Sequence, residues 1–138
     1  MRILKLQHCP SLVPSEGSLC VAESDSESVP FDIKRVYYSY AVEAGIVRGR
    51  HAHKTLKQIL ICVYGEIEVI LDNGRGDKES LILKDPSVGL YVGPSTWRII
   101  RWLKSDSVLL VLASHHYDPS DYIHDYDQFK VWVNKENQ

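Results

Sequence analysis

Gly45-Ile46-Val47-Arg48-Gly49-Arg50-His51-Ala52-His53-Lys54, followed by Gln58 and Gly65, is the stretch from which this chain is best read. Side chains alternate along a strand, so His51 and His53 project from one face if the strand is regular. Such a pair either chelates a metal or moves protons. A divalent ion in a barrel wants a third protein ligand, commonly a carboxylate, and often another histidine from a later strand. Gln58 stands at the third position. The later segment, Val92-Gly93-Pro94-Ser95-Thr96-Trp97-Arg98, brings a guanidinium, which has no lone pair for a cation. Two ligands are too few for a tight site, so the expectation is a metal-free barrel enzyme. Its imidazoles are left free for acid–base work near their intrinsic pKa.

Outward from this stretch, short β-like runs separated by turn residues dominate. They are Ile33 to Tyr40, Gln58 to Tyr64, Glu66 to Leu71, Ser80 to Leu83, Val88 to Val92, Trp97 to Trp102 and Val108 to Ser114. That rhythm predicts an all-β sandwich or barrel. Gly65, Asp72-Asn73-Gly74, Lys84-Asp85-Pro86-Ser87 and Gly93-Pro94 supply the turns and favour consecutive antiparallel pairing. Ser24 to Pro30 reads as a polar surface loop. Asp118-Pro119-Ser120-Asp121-Tyr122 reads as the cap of a short helix, and Phe129 to Val133 as a last helix or strand. Residues before Glu16 are expected to form an edge strand able to pair with another subunit.

The chain has 138 residues, a size that one domain with its own core can fill, so residues 1–138 are read as a single domain. A net charge of -2 with mixed signs throughout argues against nucleic acid as a partner. Cys9, Cys20 and Cys62 are odd in number and lack metal-like spacing, which fits a reduced cytoplasm, and Cys62 reads as a packed small hydrophobe. No apolar run reaches membrane-spanning length, and the first residues turn polar too soon for a signal peptide. A cytoplasmic protein with no membrane partner is expected.

Candidate site residues cluster around the histidines. Cations at Arg48, Arg50 and Lys54 suit an anionic substrate such as a phosphate ester, with Arg48 or Lys54 at the rim of the site. In Lys34-Arg35-Val36-Tyr37-Tyr38, Arg35 shares a face with Tyr37 and Lys34 with Tyr38; alternation alone does not choose which pair faces inward. A tyrosine facing the histidines would donate a proton or stack on a nucleobase. Tyr91, Trp97, Arg98 and Trp102 gather near the later turn, where one tryptophan is expected to be core. His115 and His116 read as a solvated turn, and His8 and His124 as surface residues.

Several of these segments together resemble a known family. They are Lys34-Arg35-Val36-Tyr37-Tyr38, Arg48-Gly49 with His51-Ala52-His53-Lys54, Gly89-Leu90-Tyr91-Val92-Gly93-Pro94 with Trp97, and Val111-Leu112-Ala113-Ser114 with Tyr117-Asp118 and Asp121-Tyr122-Ile123. The resemblance, running from about Gly17 to about Phe129, is to the nucleotide-sugar 3,4-ketoisomerases of the WxcM-like cupin group. It implies an RmlC-like jelly-roll barrel with room for a small C-terminal helix. It implies action on a dTDP-4-keto-6-deoxyhexose, giving the 3-keto sugar without metal or cofactor. Such products feed transaminases that make 3-amino-3,6-dideoxy sugars. A homodimer with an exchanged N-terminal strand is implied as well.

On this resemblance His51, His53 and Tyr37 are the catalytic candidates. His51 would be the base at C3 and returning acid at C4, with His53 or Tyr37 moving protons between oxygens. Arg35, Arg48, Lys54, Gln58, Tyr91, Trp97 and Arg98 are the substrate-binding candidates, Arg98 or Gln58 facing the enediolate oxygen. The family often has histidine where this chain has Arg98, which bears on how sugar oxygens are held. It often has arginine where this chain has Glu16, which bears on the face of the sugar presented. Two other functions fit the residues: a cupin nucleotide-sugar epimerase and a non-catalytic sugar-nucleotide binding module.

Overall fold

The computed structural model describes residues 1–136. Two five-stranded antiparallel sheets face each other. One sheet runs β1 (Arg2–Lys5), β9 (Val88–Val92), β6 (Gln58–Tyr64), β11 (Val108–Ala113), β4 (Arg35–Ser39). The other runs β12 (Tyr122–Ile123), β5 (Val47–His53), β10 (Trp97–Trp102), β7 (Ile67–Asp72), β8 (Lys78–Leu83). A hairpin of β2 (Gln7–Pro10) and β3 (Ser18–Val21) lies apart, and helix α1 (Tyr126–Glu136) ends the described chain.

The predicted strands are present, but their pairing differs from the consecutive hairpins expected. Of the strands from β4 onward, only β7 and β8 pair with a direct sequence neighbour. β6 and β7, joined at Gly65, lie in opposite sheets, as do β8 and β9, and β9 and β10. The physical reason is burial. Leu60 and Cys62 from one sheet and Ile67, Val69, Ile100 and Trp102 from the other fill one shared interior, and the chain reaches both walls by crossing at its turns.

Gly65 shows what such a crossing requires. It has φ +90°, and a Cβ there would sit 2.0 Å from Ser107 Oγ and 2.8 Å from the Ser107 Cα. Ser107 in turn accepts the Glu66 N–H on its hydroxyl at 2.9 Å, and its carbonyl accepts the Trp102 indole N–H at 2.8 Å.

Two further layers cover the outer faces. On the first sheet, Leu4, Leu6, Val29 and Phe31 pack against Ile59, Ile61 and Leu112. The 24–30 segment expected at the surface therefore contributes Val29, with no exposed area, to this layer. On the second sheet, Phe129 and Val133 of α1 seal Ala52, Trp97 and Ile123. β1 forms the expected edge, paired with its own chain's β9. No helix among the described residues is long and apolar enough to cross a membrane.

Replacing Gly65 with alanine should destabilise the protein by about 1–3 kcal/mol or more, because strain at positive φ adds to overpacking against Ser107. Urea unfolding of Gly65→Ala should show a lowered midpoint, and an unchanged midpoint would show that the corner is not so tightly fitted.

Candidate active site

The site is built on an irregularity in β5. The cross-strand register with β10 pairs Ile100 with Arg48, Ile99 with Gly49, and Arg98 with His51, so Arg50 is an extra residue bulged out of the ladder. Gly49 at φ +88° and Arg50 at φ +52° carry the bulge. Strict alternation would have put Arg48 and His51 on opposite faces. The bulge puts both on the inner face, opposite Ile100 and Arg98. They line a cavity of about 90 Å³ together with Tyr37, Gln58 and Arg98. Its apolar floor comes from Leu60, Trp102, Leu109 and Val111.

The same bulge orients the imidazole. His51 Nδ1 lies 3.0 Å from the Gly49 carbonyl, which can only accept, so Nδ1 carries the proton and Nε2 keeps its lone pair. Burial and the neighbouring Arg98 charge lower the His51 pKa to about 4, against a smaller opposing effect of the Gly49 hydrogen bond. At neutral pH this ring is therefore an uncharged base.

Arg98 is the unusual member, a guanidinium only 1% exposed. Burial lowers its pKa to about 10, so it stays charged near neutrality. It donates to the Gln58 side-chain oxygen and, at 3.1 Å, to the Thr96 carbonyl. Gln58 donates in turn to the Tyr37 hydroxyl at 2.8 Å. With its acceptor side used by Gln58, the phenol proton of Tyr37 is free to point elsewhere. Burial raises the Tyr37 pKa, partly offset by Arg98, and keeps the phenol protonated. The result is a chain from charge to amide to phenol along one wall, with a neutral imidazole beside it.

His53 is placed differently. It is fully buried, meets the His51 ring edge-on at 4.9 Å between centroids, and is absent from the cavity lining. The Tyr122 ring covers it at 4.3 Å. Asp121 Oδ2 approaches His53 Nδ1 to 3.4 Å, but this is not an ion pair at neutral pH. Burial, then Arg98 and His51, lower the His53 pKa to about 2.

The other predicted contacts divide. Arg35 and Tyr37 face inward while Tyr38 is exposed, which resolves the choice that alternation left open. Arg35 stacks its guanidinium on the Tyr37 ring at 5.1 Å and lines a recess shared with His53 rather than the cavity. Three expectations are corrected. Lys54 lies over the Trp132 ring of α1, 5.4 Å from its centroid, on the outer side of β5. Trp97 is core beneath α1, because Arg98 takes the inward position beside it. Tyr91 faces outward, since Leu90 and Val92 fill the interior, and Arg2 stacks on it at 4.9 Å.

Asp121 and Tyr122 were missed by the sequence reading. Asp121 accepts from the Thr55 N–H and hydroxyl at 2.9 and 2.7 Å and from the Leu56 N–H at 3.2 Å, pinning β12 beside β5. The Asp-Pro-Ser-Asp pattern signals only a local cap, and nothing in it marks a partner 66 residues away. His124, expected at the surface, is exposed but stacks on Tyr122 at 5.2 Å. Among the described residues, no three of His, Cys, Asp and Glu converge in a metal-holding group.

The WxcM-like, C-terminal family model (FdtA) matches residues 2–134. The chain belongs to this WxcM-like family. It is 45% identical over 133 residues to the TDP-4-oxo-6-deoxy-alpha-D-glucose-3,4-oxoisomerase of Aneurinibacillus thermoaerophilus, covering 96% of this chain and 94% of that one. Among solved structures it is similar to a histidine-to-asparagine mutant of the 3,4-ketoisomerase QdtA from Thermoanaerobacterium thermosaccharolyticum, in complex with TDP-4-keto-6-deoxyglucose. The TM-score is 0.90 at 40% identity, over 97% of this chain and 94% of that chain. The rmlC epimerase of Mycobacterium tuberculosis, at 19% identity and TM-score 0.70 over 87% of this chain and 66% of that one, shows the fold alone. The WxcM-like chain thus has the RmlC-like cupin architecture, an all-β jelly roll closed by a short helix.

The buried His53 and the partly buried His51 make folding stability of this WxcM-like protein pH-dependent. Their folded pKa values, about 4 and about 2, lie below the 6.5 of the unfolded chain. The unfolded state therefore binds more protons as pH falls below 6.5, and their contribution, fully present above that value, is progressively lost. Between pH 6.5 and 5 the loss should steepen from about 0.7 towards about 1.4 kcal/mol per pH unit for each histidine. Urea midpoints measured across this range should fall with acidity, and His53→Phe should flatten the fall; equal slopes in both proteins would contradict the assignment.

Proposed function

We propose that this chain is a nucleotide-sugar 3,4-ketoisomerase that converts a dTDP-4-keto-6-deoxyhexose into its 3-keto isomer, supplying 3-amino-3,6-dideoxy sugar synthesis in the cytoplasm from one cupin domain. The observation that carries this reading is the neutral, Nδ1-anchored His51 beside the buried Arg98–Gln58–Tyr37 chain. The 45% identity to a 3,4-oxoisomerase supports the choice of isomerisation over epimerisation and over binding without turnover.

The chemistry follows from the groups. A ketone at C4 acidifies the hydrogen at C3. His51 Nε2, with its lone pair free, removes that proton, and the electron pair forms the C3–C4 double bond while charge collects on the C4 oxygen. A fixed guanidinium in a buried wall needs no reorganisation to stabilise that charge, a contribution of about 10²–10³-fold for one well-placed donor. Tyr37 gives its phenol proton to the C4 oxygen and takes the hydroxyl proton from the C3 oxygen, with Gln58 holding it in place. The imidazolium of His51 then returns a proton at C4, leaving the ketone at C3. Arg48, exposed at the cavity wall, is positioned for the anionic nucleotide portion.

Homodimerisation is part of the proposal. Val36 and Tyr38 of edge strand β4, with Tyr40, leave an exposed apolar strip, and the β1–β9 pairing seen within the chain is one that an exchanged β1 would reproduce between subunits. Light scattering should give twice the 15.8 kDa chain mass; a monomer would remove this part.

The enzymatic reading is tested by NMR of the sugar ring after incubation with dTDP-4-keto-6-deoxyglucose. A 3-keto product is expected from the native chain, and His51→Asn should reduce turnover by at least about 10²-fold. A product inverted at one centre with its carbonyl still at C4 would contradict isomerisation, and a loss of only a few-fold in His51→Asn would remove the assigned base.

A further inference from the structure

Cross-strand register stacks the inner face of the barrel into tiers. In one tier, Tyr37 lies in line with Val111 and Leu60 on the first sheet, and His51 lies beside Arg98 on the second. One inward-facing step further along, Ser39 is in line with Leu109, and Arg48 is beside Ile100. Both tiers line the cavity that holds the chemistry. The second tier is divided. Leu109 and Ile100 belong to the core, whereas Ser39 and Arg48 stand at the rim, because β4 is an edge strand and residues 47–51 of β5 have only β10 beside them among the described strands. Neither rim group is committed. The half-buried Ser39 makes no side-chain hydrogen bond among the described residues, and the exposed Arg48 has no carboxylate partner among them.

We propose that Ser39 is a specificity-determining residue, whose hydroxyl bonds the C2 hydroxyl of the sugar and so fixes which edge of the pyranose meets His51. The inference rests on the ketoisomerase reading above. With its C3–C4 bond held at His51 and Tyr37, the ring has a polar side, C2 with its hydroxyl and C1 with the diphosphate, and an apolar side, C5 with its methyl group. The rim suits the first side and Leu109 with Ile100 the second. Arg48 matches the anion, and Ser39, which can both donate and accept, matches the neutral hydroxyl. A sugar turned over, with its methyl at the rim, would press the C2 hydroxyl against Leu109 and Ile100 without a partner, and burying an unpaired hydroxyl is costly. No bond at C2 changes during isomerisation, so the contact acts on affinity and orientation rather than on the proton transfers.

Calorimetry with three non-reacting ligands tests this: dTDP-6-deoxyglucose, its 2-deoxy counterpart and dTDP. The native protein should hold dTDP-6-deoxyglucose about five- to tenfold more tightly than the 2-deoxy compound, the usual effect of one well-made hydrogen bond. Ser39→Ala should abolish that difference by weakening the 2-hydroxy ligand alone, with affinity for the 2-deoxy compound and for dTDP unchanged. Ser39→Thr, which keeps a hydroxyl, should keep the difference. Equal affinity of the native protein for the two sugar ligands would overturn the assignment, as would a Ser39→Ala variant that weakens all three ligands alike, the mark of a general loss of fit, or weakens none. These results leave the isomerase reading intact. Absence of 3-keto product when the native protein is given dTDP-4-keto-6-deoxyglucose would instead overturn the reading on which the assignment depends.

Discussion

A guanidinium buried at 1% exposure beside two imidazoles is the constraint around which the rest of this structure is arranged. An unpaired buried charge is costly, so Arg98 has to be met by acceptors and its neighbours have to stay uncharged. Gln58 and the Thr96 carbonyl provide the acceptors. Burial and the Arg98 charge together keep His51 and His53 neutral. The same residue that would stabilise an oxyanion therefore also prepares the base. A metal-ligating carboxylate at position 58 would place a second charge in this wall; the neutral amide instead accepts from Arg98 and donates to Tyr37.

Delivery of these groups to one cavity depends on a single extra residue. Without the bulge at Gly49 and Arg50, His51 and Arg48 would point to opposite sides of the sheet, and the Gly49 carbonyl would not lie under His51 Nδ1. A Cβ at Gly49 would meet the Arg98 carbonyl at 3.2 Å, so glycine serves both the positive φ and the close approach of β10. Irregular backbone at an otherwise regular barrel strand is thus placed where the chemistry needs it.

Much of this was legible in the sequence. Strands β6, β9 and β10 match the expected runs to the residue, because short, largely apolar β-type runs bounded by turn formers leave little choice of ends. Gln58 as a neutral substitute for a ligand, and Arg98 as a cation in place of one, were both readable from residue chemistry. What escaped was non-local. Lys54, Trp97 and Tyr91 were grouped with the site by proximity in sequence, yet strand parity turns each of them outward. The pairing of β6 with β9 and β11 rather than with β7 depends on how two sheets share one core. Asp121 and Tyr122 meet the histidines only through the pairing of β12 with β5, for which the local pattern carries no signal.

The most direct test of the central claim, a neutral His51 held ready by a buried Arg98, is an NMR titration of ¹⁵N-labelled histidine side chains in the folded protein. The account predicts that His51 shows the Nδ1–H tautomer at neutral pH and takes up its proton only near pH 4. A His51 signal that titrates near its ordinary 6.5, or that shows the Nε2–H tautomer, would contradict it.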